Sequence, residues 1–453
     1  MQAAVLIAVL TAALALAGVA RAAPVTMTPA ELRALGFREM AAHRPAAAHD
    51  IALALLHRDP KDFLALILQA RSARAMGLNP EARQAAREAW AQAQGREQEY
   101  LAAEVRAQVL ASSDMRPFAQ FWLRRAADLA PDPAVRQRAI RDLNYVRSRS
   151  HWVLRFSASV QPSSNVNNGS ANSTISILGL PFLLSGDARA LSGVVASGDA
   201  EAIYRFTPTE RALSRLHFRL GGTHNWLSAA AQRQAPLARG SNYDYLVAEA
   251  GFAQRLRASR RSLAIYDWDV TAGHNWYGGH DLSDYLRGSL SVERPVSAWL
   301  TAFGGVSLER QVRRDSFTRS AVVATGYTGM NRRLGNGDEL GLTLGLRDTN
   351  SAAIDINHHG AFAQLRWQQA TPVLGIRLDA SAYMETGVYG ASIFAPNGRH
   401  DVTRQAQISA LFTRVNRLGF APELTLQWRQ VQSNVSLYAA RGLSVGLAVK
   451  SVF

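Results

Sequence analysis

The stretch Gly442-Leu-Ser-Val-Gly-Leu-Ala-Val-Lys-Ser-Val-Phe453 decides how the rest of the chain is read. Leu443, Val445, Leu447, Val449 and Phe453 fall on one face of an extended backbone, and Ser444, Gly446, Ala448 and Lys450 fall on the other. That is the two-residue period of a strand wetted on one side only. Such a strand could edge a soluble sandwich or close a barrel, and its sisters upstream must choose between the two.

The same texture starts at Trp152 and holds to the end. Trp152, Leu154, Phe156, Ala158 and Val160 alternate with Val153, Arg155, Ser157 and Ser159, and Leu340, Leu342, Leu344 and Leu346 alternate with Gly341, Thr343, Gly345 and Arg347. Segments of this kind near 152–160, 191–206, 213–226, 243–256, 262–275, 284–293, 298–311, 318–331, 338–349, 359–369, 373–384, 403–415, 420–432 and 441–453 predict fourteen strands. An even count is what a single-chain bacterial barrel needs. Short connections such as Arg294-Pro-Val296 and Asn416-Arg-Leu418 alternate with generally longer ones such as Gln161–Ala190 and Leu227–Ser241. That pattern matches the short periplasmic turns and long outer loops of membrane barrels, so 151–453 is expected to be a transmembrane barrel.

Composition fits an exported chain. The sequence has 453 residues, enough for two domains, and no cysteine, which removes disulfides and thiolate metal sites. Residues 1–22 read as a signal peptide: the run from Ala3 to Ala20 carries no charge, and Ala20-Arg21-Ala22 offers a small-residue cleavage site. No Lys or Arg precedes the apolar run, which is atypical. No later stretch is long and apolar enough for a membrane helix.

Between them, residues 27–148 are rich in Ala, Leu, Arg, Glu and Gln, beginning with the cap signal Thr28-Pro29-Ala30-Glu31. Breaks at Asp59-Pro60, Asn79-Pro80 and Pro131-Asp-Pro133 divide the segment into helix-length pieces. The spacing between two of these pieces is near twice the roughly 34-residue tetratricopeptide period. Ala48, Ala52, Ala70, Ala85 and Ala126 would let helices approach, with Phe63, Trp90, Tyr100, Phe118 and Trp122 filling between them. The fold class is therefore an α + β membrane protein, an N-terminal α-helical tetratricopeptide-like periplasmic domain followed by a 14-stranded antiparallel transmembrane β-barrel.

The polar faces of the strands carry both signs. Arg155, Arg205, Arg219, Glu249, Asp267, Asp269, Arg287, Glu293, Arg347, Arg366, Arg377, Asp379 and Arg429 are the candidate lumen-lining residues. Unpaired buried charge is costly, so this face must be wet or cross-paired. Arg255, Arg257, Arg260, Arg261, Arg294, Arg332 and Arg333 gather at the short-turn rim, placed to meet lipid phosphates or an acidic client. Lys+Arg 50 against Asp+Glu 35 gives +15, but the arginines are scattered over many strands without an interleaved stacking platform, which argues against nucleic acid. His217, His224, His274, His280, His358, His359 and His400 lie in no recognisable catalytic motif, and no metal-ligand spacing or phosphate loop is present. No enzyme activity, metal or cofactor is expected.

Two short passages narrow the field. Gln161-Pro-Ser-Ser-Asn-Val-Asn-Asn168 follows the first strand, and Trp428-Arg-Gln-Val-Gln-Ser-Asn-Val-Ser-Leu-Tyr438, with Arg441 and the terminal Phe453, spans the last hairpin. Both resemble the surface lipoprotein assembly modifier family, the outer-membrane component of type XI secretion. The resemblance covers about Met27 to Phe453 and rests on Pro162, Asn165, Asn167, Ser433, Asn434, Tyr438, Arg441 and Phe453; the helical segment is short for the family. It implies export of a client protein, a surface lipoprotein or a soluble haem- or metal-acquisition protein, across the outer membrane, with no cofactor. Outer-membrane lipid and lipopolysaccharide, the barrel-assembly machinery that would read Phe453, and a periplasmic chaperone are the other implied partners. An exopolysaccharide exporter is the first rival, and would favour carbohydrate-stacking aromatics in the lumen over the Arg, Asp, Glu, Ser and Gly read here. A barrel hydrolase is the second.

Overall fold

The computed structural model describes residues 26–177, 180–259 and 261–452. The expected signal peptide, Arg260 and the terminal Phe453 lie outside the described residues. Among the described residues seven helices come first: α1 Pro29–Ala41, α2 Pro45–Arg58, α3 Phe63–Ala75, α4 Asn79–Gln92, α5 Gly95–Ser112, α6 Arg116–Leu129 and α7 Pro133–Arg149. The chain divides into two compact units at Ser113/Asp114, so α6 and α7 group with the strands that follow.

In the first unit, capping starts the helices. Thr28 Oγ1 accepts the Glu31 N–H at 3.3 Å while the Glu31 carboxylate accepts the Thr28 N–H at 2.8 Å, a reciprocal pair with Pro29 fixing the first turn. Asp62 accepts the Ala65 N–H at the start of α3 and also binds Arg33 of α1 at 2.8 Å. Each helix packs on the next, and α1 on α3 and α3 on α5, the contact order of stacked helix pairs. The core is alanine-rich: Ala48, Ala52, Ala70 and Ala85 are buried together with Leu66, Ile67, Leu68, Val105 and Val109, and Phe63 and Trp90 pack at its edge. A Cβ on Gly36 would stand 2.3 Å from Leu68 Cδ2, which is how closely α1 approaches α3. In the second unit Ala126 is buried on α6, but Phe118, expected to fill an interhelical gap, is 61% exposed. Phe118 opens α6, two residues inside its first turn, where no preceding turn covers it.

The strands are β1 Trp152–Ser163, β2 Thr174–Ile177, β3 Leu180–Leu183, β4 Gly193–Arg205, β5 Ala212–Leu227, β6 Tyr245–Arg257, β7 Ile265–Tyr277, β8 His280–Pro295, β9 Leu300–Arg313, β10 Ala321–Arg333, β11 Glu339–Ser351, β12 His358–Gln368, β13 Ile376–Tyr389, β14 Arg399–Phe412, β15 Phe420–Ser433 and β16 Ala440–Ser451. β2 and β3 form a separate hairpin, while β1 and β4–β16 close a fourteen-stranded antiparallel barrel by pairing β1 with both β4 and β16. One further short helix, α8 Ala229–Gln234, lies between β5 and β6.

Loop asymmetry is narrower than the sequence suggests. Only 164–192 and 228–244 are long; 278–279, 314–320, 352–357, 390–398 and 434–439 are comparable with the opposite turns 206–211, 258–264, 296–299, 334–338, 369–375 and 413–419. The strands run further at that end than hydrophobic alternation does, because ladder pairing continues after the outward side chains cease to be apolar. The β7–β8 connection is a two-residue turn whose Gly278 and Gly279 both adopt positive φ.

Candidate functional site

Two faces of one wall define the candidate site. The outer face carries Leu154, Phe156, Val160, Leu286, Leu290, Val306, Leu344, Leu346, Leu424, Leu447 and Val449, all exposed, with Phe156 at 72% and Leu346 at 68%. A protein that leaves so many leucines and valines uncovered in a continuous belt is built to be covered by lipid. Aromatic rings mark the belt's limits. At the short-turn end the sequence His151, Trp152, Tyr204, Phe206, Phe252 and Trp268 forms a chain of ring contacts with centroids 5.1–6.4 Å apart. At the long-loop end His224 meets Trp226 at 4.4 Å and His274 meets Trp276 at 4.2 Å. Trp268 and Trp276 are separated by about 26 Å along β7 at ~3.3 Å per residue, which a strand tilt of about 35–45° reduces to roughly 20 Å along the barrel axis, somewhat less than the ~25 Å height of a lipid-facing band.

The inner face is charged and largely self-paired. Asp199, Arg219, Glu249, Arg287 and Glu309 form one chain of ion pairs across β4, β5, β6, β8 and β9, at 2.7, 3.1, 3.1 and 3.2 Å in order. The Tyr285 hydroxyl donates to Glu249 at 2.6 Å. Nearer the short-turn end, Asp267 receives both Arg215 at 2.7 Å and Arg255 at 3.1 Å, and His217 stands 2.7 Å from Asp269. Arg155 pairs with Glu201, Arg347 with Glu385, Arg366 with Asp379, and Lys450 with Glu423. Each partner lowers the cost of holding its ion against the wall.

Some candidate residues do something else. Arg205 donates to the backbone carbonyls of Arg147 and Ser150 at 2.8 and 2.7 Å, so it fastens the end of β4 to the passage from α7 into β1. Arg429 donates to Asn168 Oδ1 at 2.6 Å, tying the wall to the first long loop. Glu293 and Arg377 stand at the short-turn ends of β8 and β13, in register with Phe303 and Leu411. Arg255, read as a rim residue, points to Asp267 instead, because odd positions of β6 face the lumen.

Sequence reading missed two things here. Asp199, Glu201, Arg215, Glu309 and Glu385 complete the ion pairs and became legible only once strand register was known. The lumen is also not as free of aromatics as expected: Phe303 and Tyr327 approach to 6.4 Å, and Phe362 and Tyr383 to 6.1 Å, on the inward positions of β9, β10, β12 and β13. Their alternation with glycines such as Gly305 and Gly345, onto whose backbone the Tyr327 and Phe362 rings fold, was the available signal.

The described family-motif residues other than Pro162 meet at the long-loop end. Asn165 Nδ2 donates to the carbonyls of Gly169 and Arg441, and Asn167 bridges the carbonyls of Asp187 and Arg189 to the Leu191 N–H. Asn434 accepts from the His400 N–H at 2.8 Å and donates to the Gly398 carbonyl at 2.9 Å, while Ser433 accepts from the Val435 N–H. The Tyr438 ring covers one side of the Arg399 guanidinium at 3.8 Å and Tyr389 covers the other at 3.4 Å; Arg399 is 6% exposed. Around them Ile175, Ala395 and Val435 make a small core with Leu184, Phe394 and Leu437. Among the described motif residues, the side chains of Asn165, Asn167, Ser433, Asn434 and Tyr438 and the Arg441 carbonyl thus clasp loops into a cap, while Pro162 lies on the outer face of β1. The histidines pair with acids, His224 with Asp244 and His274 with Asp284, at the lipid-belt margin.

No family model matches the chain, and no curated protein matches it by sequence. Among solved structures, an outer-membrane channel from Pseudomonas putida F1 is similar at 10% identity over 66% of this chain and 95% of that one, TM-score 0.31. A bacterial polysaccharide outer membrane secretin is similar at 8% identity over 65% and 98%, TM-score 0.30. The type III secretion translocator chaperone SycD of Yersinia enterocolitica matches 26% of this chain and 83% of its own length at 20% identity, TM-score 0.24. Identities and scores this low leave cargo and mechanism to this chain's own residues.

Proposed function

We propose that the protein is an outer-membrane export channel whose cargo is a polypeptide, delivered from the periplasm through or along the fourteen-stranded barrel. The observation that carries this reading is the cap. Asn165 and Asn167 come from one end of the barrel sequence and Ser433, Asn434, Tyr438 and Arg441 from the other, and they converge at the long-loop end. These are the positions on which the resemblance to the surface lipoprotein assembly modifier family rests. In this orientation the short-turn end and the helices are periplasmic, because both chain ends of an even-stranded barrel lie on one side. Helix pairs there would hold client segments, and the lumen would be wet, two-signed and without strong affinity for either charge. No catalytic step or cofactor is part of this reading.

The test is a clean deletion of the gene in its native bacterium. Surface lipoproteins and secreted proteins are quantified on intact cells and in medium; loss of at least one, restored by the wild-type gene, is expected. Unchanged export of every protein sinks the reading. The inward rings Phe303, Tyr327, Phe362 and Tyr383 favour a second reading, an exopolysaccharide conduit, since sugar faces stack on such rings. Loss of surface polysaccharide with intact protein export would select it.

A further inference from the structure

One inward arginine is held unlike the others. Arg155, Arg215, Arg219, Arg287, Arg347 and Arg366 each reach a carboxylate across the wall, at 2.6–3.2 Å. Among the described residues Arg429 reaches none, and donates instead to the neutral amide oxygen of Asn168 at 2.6 Å. Strand register accounts for the difference. Gly442 stands opposite Arg429 on β16 and Gln405 stands opposite it on β14, so neither neighbour supplies a negative charge. Glu385, two strands away on β13, is already held by Arg347 at 2.6 Å and by the Tyr383 hydroxyl at 2.8 Å.

Arg429 borders a recess of about 230 Å³ between the inner wall and the first long loop, which lends it Asn165 and Asn168. The wall side is lined by Gln161 and Ser163 of β1, Thr223 and Asn225 of β5, Gln427 of β15 and Ser444 of β16. Ser444 is in register with both Gln427 and Ser163, so these three polar side chains stand on one rung across the closing strands. Among the described residues, the side chains of Gln161, Thr223, Gln427 and Ser444 have no hydrogen-bond partner. The charged residues that line the recess are both arginines, Arg429 and Arg441. In a wall that otherwise carries both signs, this one place offers positive charge, spare amides and hydroxyls, and no acid.

A guanidinium carries its N–H donors in a planar fork, and Asn168 engages one of them. The rest are matched best by a carboxylate, whose two oxygens accept a parallel pair of bonds roughly twice as strong as neutral ones. Side-chain amides beside such a pair suit peptide groups, since both kinds of group donate and accept. At about 230 Å³ the recess is smaller than the roughly 300–1,000 Å³ that encloses a whole small ligand, so it admits one acidic group of a longer molecule. We propose that the Arg429 recess is a carboxylate-binding site for an acidic side chain or the C-terminal carboxylate of a polypeptide in transit. The proposal deepens the polypeptide-export reading and rests on it for the natural occupant.

The test titrates the full chain in lipid nanodiscs, by calorimetry at low salt, with a short end-capped peptide carrying one glutamate and with the same peptide carrying glutamine. The glutamate peptide is expected to bind about tenfold more tightly or better. Arg429→Gln removes that preference, and Arg429→Lys, which keeps the charge but loses the fork, retains part of it. Asn168→Gly takes away the loop's amide at a position where φ is 53°, which glycine adopts without strain, and leaves the preference intact. Arg366→Gln, whose partner is Asp379, changes nothing. Equal affinity for the two peptides overturns the proposal, as does loss of the preference in Asn168→Gly, which would make the loop and not the arginine its cause. Acetate or inorganic phosphate bound as tightly as the glutamate peptide overturns the polypeptide as its source, and glucuronate bound more tightly overturns it in favour of an acidic saccharide. Peptide binding is read without any cargo, so a deletion strain that exports normally would overturn the export reading and leave the site standing.

Discussion

The helical unit and the barrel place the same kind of residue at opposite addresses. In the first unit Leu66, Ile67 and Leu68 are buried among alanines. In the second, Leu344 and Leu346 stand in the open on the barrel's outer face, while the charged residues line the interior. The difference teaches that hydrophobicity here specifies a boundary with a particular solvent: helix pairs turn apolar groups away from water, and strands turn them toward lipid. It also predicts that the two parts fail independently.

The largest expected effect is in the helices. Leu66→Ala removes a fully buried side chain and should cost about 2–5 kcal/mol, lowering the thermal transition followed by helical circular dichroism. The barrel should still insert and keep its heat-modifiable gel mobility; if both are lost together, the two parts are not independent. Leu344→Arg does the reverse. A cation near the middle of the lipid face costs about 2–4 kcal/mol, so folded barrel should fall while the helical transition holds.

A smaller effect belongs to the inner face. Glu249→Gln leaves Arg219 and Arg287 without their shared carboxylate, a loss of about 1.5–3 kcal/mol if water did not enter. In a wet lumen the cost shrinks and the electrostatic change remains. Single channels in planar bilayers should therefore shift toward anions, with insertion unchanged; unaltered selectivity would mean that ions do not pass this chain of charges.

The address of each leucine was readable from period alone, as Leu443 to Val449 and Leu340 to Leu346 show, because side-chain alternation is a local property of the strand. The fourteen strands and their order followed from it. The partners of Arg219 and Arg287 were not readable, since they depend on register between strands, which alternation fixes only to the face and not to the rung. The cap was half legible. Its asparagines and Tyr438 stood out as residues, but Arg399, which Tyr438 and Tyr389 enclose, did not, because it sits just where a strand emerges from a loop.

The smallest predicted effect lies in the short turns, where barrel strands are joined without help from lipid. Asp338 closes the β10–β11 turn and also reaches its neighbour: its carboxylate accepts the Ala370 N–H at 2.9 Å, the Asn336 amide at 2.9 Å and the Trp367 indole N–H at 3.1 Å. The Ala370 N–H, against burial and with help from Asn336 and Trp367, holds this carboxyl below its ordinary range. A depressed folded-state pKa stabilises the fold fully above the unfolded value, about 3.9 for Asp, and that contribution disappears as pH falls through the folded value. Asp338→Asn should therefore lower barrel melting slightly at neutral pH, and the gap should close on acidification below about pH 4. A gap that persists in acid would show that Asp338 acts through shape alone and not through its charge.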